Sequence, residues 1–356
     1  MELSHQDALR LNILLSQNIN AIRINESKMT LHALLEDKEV TIPLSPNGNE
    51  DRYLKTVREF LSYKILNSPA GYPIFLKRWS RTGELQSEKL RELLKIAEPE
   101  AVIAVAHSNH LTDELARYVW WSTPSVEIAR QMLLNPMVCK SELSAELSDF
   151  LYEFLPFEES HENIIQTVTL LLKNSLVDDS KKSTLWKKGK RKTSYYIGFL
   201  HAIPENIPEN YAAHTCHKNL STISHSGNIE LSAHDFLCKL FSSKGQNFLQ
   251  TCAKSILGIT DQDALVSLFN AIKNYFAPLN VLSTQQLLAT LNELLANNVL
   301  TNKQIEAISR LSKISEDDLT HILAQTNAIG SLLRKKASPV TDVILQDIKT
   351  LCSDNP

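Results

Sequence analysis

The stretch "SEKLRELLKIAEPEAVIAVAHSNHLTDELARYVWWSTPSVEIARQMLL", residues 87–134, decides the fold class. Its apolar residues recur at helical spacing, and a start or stop signal interrupts them at short, regular intervals. "SEKLRELLKIA" starts at Ser87 and ends before Pro99. "PEAVIAVAH" carries Pro99 at a first-turn position, where its missing N–H costs nothing. "TDELARYVWWS" starts at Thr112 with Asp113 and Glu114 in its first turn, and "PSVEIARQMLL" starts at Pro124 and stops before Pro136. Further on, "SELSAELSDFLYEFL" stops at Pro156 and "HENIIQTVTLLLKNSL" follows. Short helices punctuated this regularly predict stacked helix pairs of the HEAT type, here without a strict repeat consensus.

The pattern changes upstream. Ser4 is placed to cap a first helix, Asp7 suits its dipole, and Leu9, Ile13 and Leu14, with Leu11 and Leu15, give it a broad apolar face. Then apolar residues alternate: Met29, Leu31, Ala33 and Leu35, and after them Val40, Ile42 and Leu44. With "NAIRI" before them, they predict three short antiparallel strands turning at "NESK" and "EDK", with Pro43 confining the last to a sheet edge. "EDRYLKTVREFLSYKIL" returns to helical spacing through Leu54, Val57, Leu61 and Ile65. The predicted fold is therefore mainly α: an irregular HEAT-like helical array with a small N-terminal α+β segment containing a short antiparallel sheet. Four segments are expected: 1–80, α+β; 81–177, repeat-like helices; 178–230, a junction with a basic run, a polar loop and one buried helix, "SYYIGFLHAI"; and 231–356, helical again. In the last, Thr301 with Gln304 reads as a capping box, and Ser315 with Asp318 resembles one.

Composition narrows the function classes. A chain of 356 residues with 43% hydrophobic residues can build two or three cored domains. A formal net charge of −3 argues against a broadly basic nucleic-acid binder but leaves room for a local patch. With 9 glycines, a Gly-rich phosphate loop is not expected. The 5 cysteines lack paired spacing and read as reduced thiols of a cytoplasmic protein. No basic start precedes the first apolar run, and no stretch approaches the length of a membrane span, so neither a secretory signal nor a transmembrane segment is expected.

Four groups of residues bear on chemistry. "NSPAGYPIFLKRWSRTGEL", residues 67–85, gathers Tyr72, Phe75 and Trp79 with Lys77, Arg78 and Arg81. Aromatic and Arg residues are typical binding anchors, so these six are partner-binding candidates; the competing and preferred reading is a junction with Trp79 buried. "KKSTLWKKGKRKTSYY" holds Trp186, Lys187, Lys188, Lys190, Arg191 and Lys192, nucleic-acid candidates in which cations meet phosphate and aromatics meet bases. An exposed solvated loop is the plainer reading of that run. Cys139 and Cys352 are reactive-thiol candidates: the first lies before the expected helix cap Ser141, where a helix N-terminus lowers a thiol's pKa, and the second lies on a tail expected to be mobile. Finally, His107, His110, Asp113 and Glu114, and the run holding His214, Cys216, His217, His225, His234 and Cys238, have metal-binding residue types. The first set reads as a turn and a helix start, the second as a polar loop with Cys238 buried after it. No metal and no cofactor is expected, and no catalytic motif is present.

"SPAGYPIFLKRWSRTGEL", "EPEAVIAVAHSNHLTDELARYVWW" and "FLYEFLPFEE", together with the N-terminal "DALRLNILL" and "AIRINESKM", resemble the DsrS proteins. These are soluble accessory proteins encoded with the dissimilatory sulfite reductase system of sulfur-oxidising bacteria. The resemblance is strongest over residues 1–200. It implies a cytoplasmic, non-enzymatic protein that supports oxidation of stored sulfur through protein partners of that pathway, and it assigns no residue a role. Two alternatives stand beside it: regulation through RNA or DNA contact by residues 181–196, and cysteine-based sulfur handling.

Overall fold

The computed structural model describes residues 3–36, 38–67, 87–222, 231–280, 284–297, 299–324 and 327–353. Residues 72–81, with the six partner-binding candidates and the predicted Trp79 junction, lie outside them. The described chain is mainly helical, with one three-stranded sheet near the N-terminus. It divides into two compact units, 1–154 and 155–356.

In the first unit, helix α1 (His5–Leu15) is capped by Ser4, whose Oγ accepts from the Asp7 amide at 3.1 Å. Strands β1 (Ile19–Asn25), β2 (Thr30–Leu35) and β3 (Glu39–Pro43) form an antiparallel meander in the order β1–β2–β3. The register pairs Ile22 with Ala33, Ile24 with Leu31, and Leu31 with Ile42. Alternation puts Ile22, Leu31, Ala33 and Ile42 in the core. Pro43 ends the edge strand, where its missing N–H interrupts no ladder. Helix α2 (Glu50–Leu66) starts at the cap Asn49 and buries Tyr53, Leu54, Val57 and Leu61 against the same core.

The broad apolar face expected of α1 is narrower in the fold. Leu11 and Leu14 are buried, but Leu9 and Ile13 face outward. The third inward position is Asp7, which is fully buried. The Tyr53 hydroxyl donates to Asp7 Oδ2, the Ser45 amide donates to Oδ2 at 3.0 Å, and Arg10 Nη1 donates to Oδ1 at 3.3 Å. Burial disfavours the charge, but the hydrogen bonds from Tyr53, Ser45 and Ser4, with Arg10 beside them, outweigh it and hold the carboxyl below its usual value.

A second polar knot fastens the sheet to helix α5. Helices α3 (Ser87–Leu94), α4 (Pro99–Ala106), α5 (Asp113–Ser122), α6 (Val126–Leu133), α7 (Pro136–Cys139) and α8 (Leu143–Phe154) follow one another and pack largely on their neighbours in sequence. Helix α6 begins two residues later than Pro124 suggests, because Ser125 is its cap. Arg23 of β1 donates to the Trp121 carbonyl at 3.1 Å, lies over its ring at 4.5 Å, and pairs with Glu39 at 3.1 Å. Trp121 Nε1 also donates to Glu39, at 3.2 Å.

The second unit is built on a close helix pair, α9 (His161–Lys173) and α11 (Ser194–Ala202). They approach at Gly198, where a Cβ would lie 2.6 Å from Val168 Cγ1 and 2.7 Å from its Cβ. Between them in sequence, α10 (Asp179–Lys188) packs Trp186 on Tyr196 and Phe199, at ring separations of 4.5 and 4.9 Å. The buried helix expected within 178–230 is α11, and the basic run read as a loop lies along α10 and the turn after it.

Helices α12 (Cys216–Thr222), α13 (Leu231–Phe241), α14 (Ser243–Gly258), α15 (Gln262–Tyr275), α16 (Ala277–Asn280), α17 (Thr284–Ala296), α18 (Asn302–Ser312) and α19 (Asp317–Leu323) lead to the 23-residue helix α20 (Gly330–Cys352). The Thr301–Gln304 capping box forms at the start of α18; for the second resemblance, the Ser315 amide donates to Asp318 Oδ2 at 3.0 Å. Helix α20 packs on its sequence neighbour α19, on α18 and on the distant α14, so here the array gives way to a helix laid across others. It runs through Pro339. The Lys335 carbonyl, which loses its helical donor there, accepts instead from the Ser338 hydroxyl at 3.0 Å.

Two stability effects follow. Asp7→Asn destabilises the protein by about 1–3 kcal/mol at neutral pH, because it disrupts a buried, charge-assisted network. Since Asp7 has a lower pKa folded than unfolded, its contribution is present above the unfolded carboxyl pKa and fades as pH falls through the folded value. Urea unfolding across pH 2–7 (a range of about 5 pH units that brackets carboxyl titration) should show a shallower acid loss in the variant. Gly198→Ala costs about 1–3 kcal/mol despite its better helix propensity, because Val168 must be displaced in a packed interface; a melting temperature at or above wild type refutes this.

Candidate functional site

Three segments of the second unit enclose a pocket of about 330 Å³: the start of α12, the entry to α18, and the last turns of α20 with Ser353. His214 sets one wall. Its Nδ1 accepts from the Cys216 amide at 3.1 Å, so the ring proton is on Nε2, which donates to the Ser353 carbonyl at 3.0 Å. That neutral ring is a clamp between the start of α12 and the end of α20. Cys216 forms the floor beside Gln304, with its Sγ 3.8 Å from Nε2. Gln304 is itself held by the capping box, accepting from the Thr301 amide at 2.9 Å. Lys303 and Lys349 stand exposed at the pocket from different helices. No carboxylate is among the described residues lining it.

Other candidates are placed as follows. Trp186 is buried, as are the neighbouring Tyr195 and Tyr196, so the aromatics meant to stack on bases are committed to the core. Lys188 is partly buried with its ammonium 5.9 Å from the Tyr195 ring, and burial lowers its pKa. Lys192 donates to the Glu158 and Glu159 carbonyls at 3.1 and 3.3 Å. Lys187, Lys190 and Arg191 remain exposed.

The thiol candidates also change character. Cys139 is the last residue of α7, so a helix N-terminus does not activate it; its Sγ donates to the Leu133 carbonyl at 2.8 Å, and burial raises its pKa. Cys352 is on the final turn of α20, and burial pushes its thiol up to about 12, the Gln250 hydrogen bond only partly opposing this.

The metal-type residues do not converge. Asp113 pairs with Arg117, and Glu114 accepts from Tyr118 at 2.8 Å and pairs with Arg91. His234 contacts the Leu220 carbonyl at 3.1 Å, and Cys238 beside it is half-buried where full burial was expected. His225 lies outside the described residues. Among the described residues, no three His, Cys, Asp or Glu side chains are grouped to hold a metal. Sequence reasoning singled out His214 and Cys216 but missed Lys303 and Lys349, because their convergence depends on how α18 and α20 pack.

No family model, no curated protein and no solved structure matches the chain. Among the described residues, no helix is long and apolar enough to cross a membrane.

Both Cys139 and Cys352 should resist alkylation in the native protein near neutral pH. Native and urea-unfolded protein treated with iodoacetamide and read by peptide mass spectrometry give the comparison. Native labelling at the unfolded rate would contradict it.

Proposed function

We propose that this chain is a non-enzymatic accessory protein of the cytoplasm that supports dissimilatory oxidation of stored sulfur through contacts with proteins of that pathway. The pathway comes from the sequence resemblance to the DsrS proteins. The mode of action draws on one observation: an exposed apolar surface where α14 ends and α20 begins. Leu257, Ile329 and Leu332 are 65%, 70% and 54% exposed. The chain just after Leu257 is tied to the segment carrying Ile329 and Leu332, because the Gly330 amide donates to the Thr260 carbonyl at 2.7 Å and Arg334 donates to the Ile259 carbonyl at 2.8 Å. Large apolar groups displayed together on an anchored framework are how proteins bind proteins.

The nucleic-acid alternative retains three exposed cations, Lys187, Lys190 and Arg191, but its aromatic partners are spent on packing. The sulfur-handling alternative needs a thiolate, and burial disfavours one at both candidate cysteines.

Affinity capture from sulfur-oxidising cells tests the reading. Wild-type bait should retain proteins of the sulfur-oxidation pathway, and the double variant Ile329→Asp/Leu332→Asp should lose them while keeping its melting temperature. Capture of nucleic acid in place of protein, sensitive to salt, would favour the alternative; an unchanged partner set with the double variant would exclude this surface.

A further inference from the structure

We propose that the pocket between α12, α18 and α20 binds the phosphate group of a small molecule. Charge is the first reason. Lys303 and Lys349 converge on it from separate helices, neither has an ion-pair partner among the described residues, and no carboxylate among the described lining residues offsets them. A phosphate supplies the missing negative charge and several acceptor oxygens, and lysine suits it as a mobile point charge.

The placement of Lys303 is the second reason. It occupies the first turn of α18, a helix with no acidic residue in that turn. The positive end of a helix disfavours a cation, so Lys303 is unfavourable there for the helix alone. A bound anion would reverse the sign of that interaction. The capping box satisfies Gln304, while the amides of Asn302 and Lys303 precede the first intrahelical bond and have no acceptor within the helix.

The neutral lining is the third reason. Asn219 presents an exposed amide donor, whereas the Thr301 and Thr350 hydroxyls already donate to Gln304 Oε1 at 3.2 Å and to the Gln346 carbonyl at 2.9 Å and offer their oxygens as neutral lining, and both nitrogens of His214 are engaged. A metal cation would meet two ammonium groups and a neutral histidine with no free nitrogen, so the chemistry selects anions. At about 330 Å³ the pocket exceeds a bare phosphate and has room for a small organic body. The site is independent of the apolar surface described above: Leu332 and Lys349 are separated by about 26 Å of helix axis.

Calorimetric titration of the full chain at constant ionic strength tests this, with inorganic phosphate and glycerol 3-phosphate as probes and chloride as the control. Saturable one-to-one binding is expected. Lys303→Gln and Lys349→Gln should each weaken it about tenfold, and the double variant should abolish it. Lys313→Gln, an exposed cation outside the pocket, should leave affinity unchanged. Both lysines are exposed, so melting temperatures should stay at wild type. Tighter binding of glycerol 3-phosphate assigns the site to a phosphate monoester; tighter binding of inorganic phosphate assigns it to the free ion. Absence of saturable binding to either probe, unchanged affinity in the double variant, or an equal loss in Lys313→Gln overturns the proposal.

Discussion

One buried carboxylate, Asp347, holds together what is functionally distinctive in the second unit. It lies on α20 and is nearly inaccessible, and Arg310 of α18 grips it through both oxygens, Nε to Oδ2 at 2.9 Å and Nη2 to Oδ1 at 2.5 Å. A desolvated charge is tolerated only when it is paired and hydrogen-bonded, so this fork specifies the register in which the two helices meet. That register brings Lys349 beside Lys303 and the Ser353 carbonyl within reach of His214. It also carries the other end of α20 to the exit of α14, where Ile329 and Leu332 join Leu257. The proposed anion pocket and the proposed partner surface are thus two ends of one docked helix.

The first unit uses the same device on a smaller scale. Asp7 is the one inward position of α1 that is not apolar, and it gathers a tyrosine from α2, an amide from the chain after β3, and its own Arg10. Glu39, itself exposed, gathers bonds in a related way between the sheet and α5. Burial opposes its charge, and the bonds from Arg23, Trp121 and His32 overcome that and keep the carboxyl below its usual value. In each case an apolar core supplies the driving force, and a satisfied charge selects one geometry out of several that would bury similar area.

Much of the architecture was legible because it rests on local chemistry. The three strands follow from period-two alternation, and Pro43 marks the edge because proline cannot donate to a ladder. Thr112, Thr301 and Pro99 begin helices for reasons contained within a single turn. The errors have one origin. Leu9 and Ile13 fit a helical apolar stripe, yet the fold buries Leu11 and Leu14, with Leu15 packed partly beside them, since what a face meets is not encoded in its spacing. The run after Asp178 looked like a solvated loop because its lysines dominated the composition, while Trp186 buries itself against Tyr196 and Phe199. Cys139 looked like a residue preceding a helix cap and is instead the end of a short helix of its own.

The sequence by itself determined the helical class, the position of the sheet, most helix starts and the absence of any recognisable catalytic motif, because propensity, capping and alternation act over a few residues. Only the tertiary structure decided that Asp7 and Asp347 are buried, that Gly198 marks a close helix crossing, and that His214 is a neutral clamp. It alone brought Lys303 and Lys349 to one pocket. Those two lysines are 46 positions apart. Nothing in their local sequence joins them. Their proximity is a consequence of packing α20 across α18, where long-range burial and the half-exposed Arg310 held on the buried Asp347 carboxylate set the arrangement.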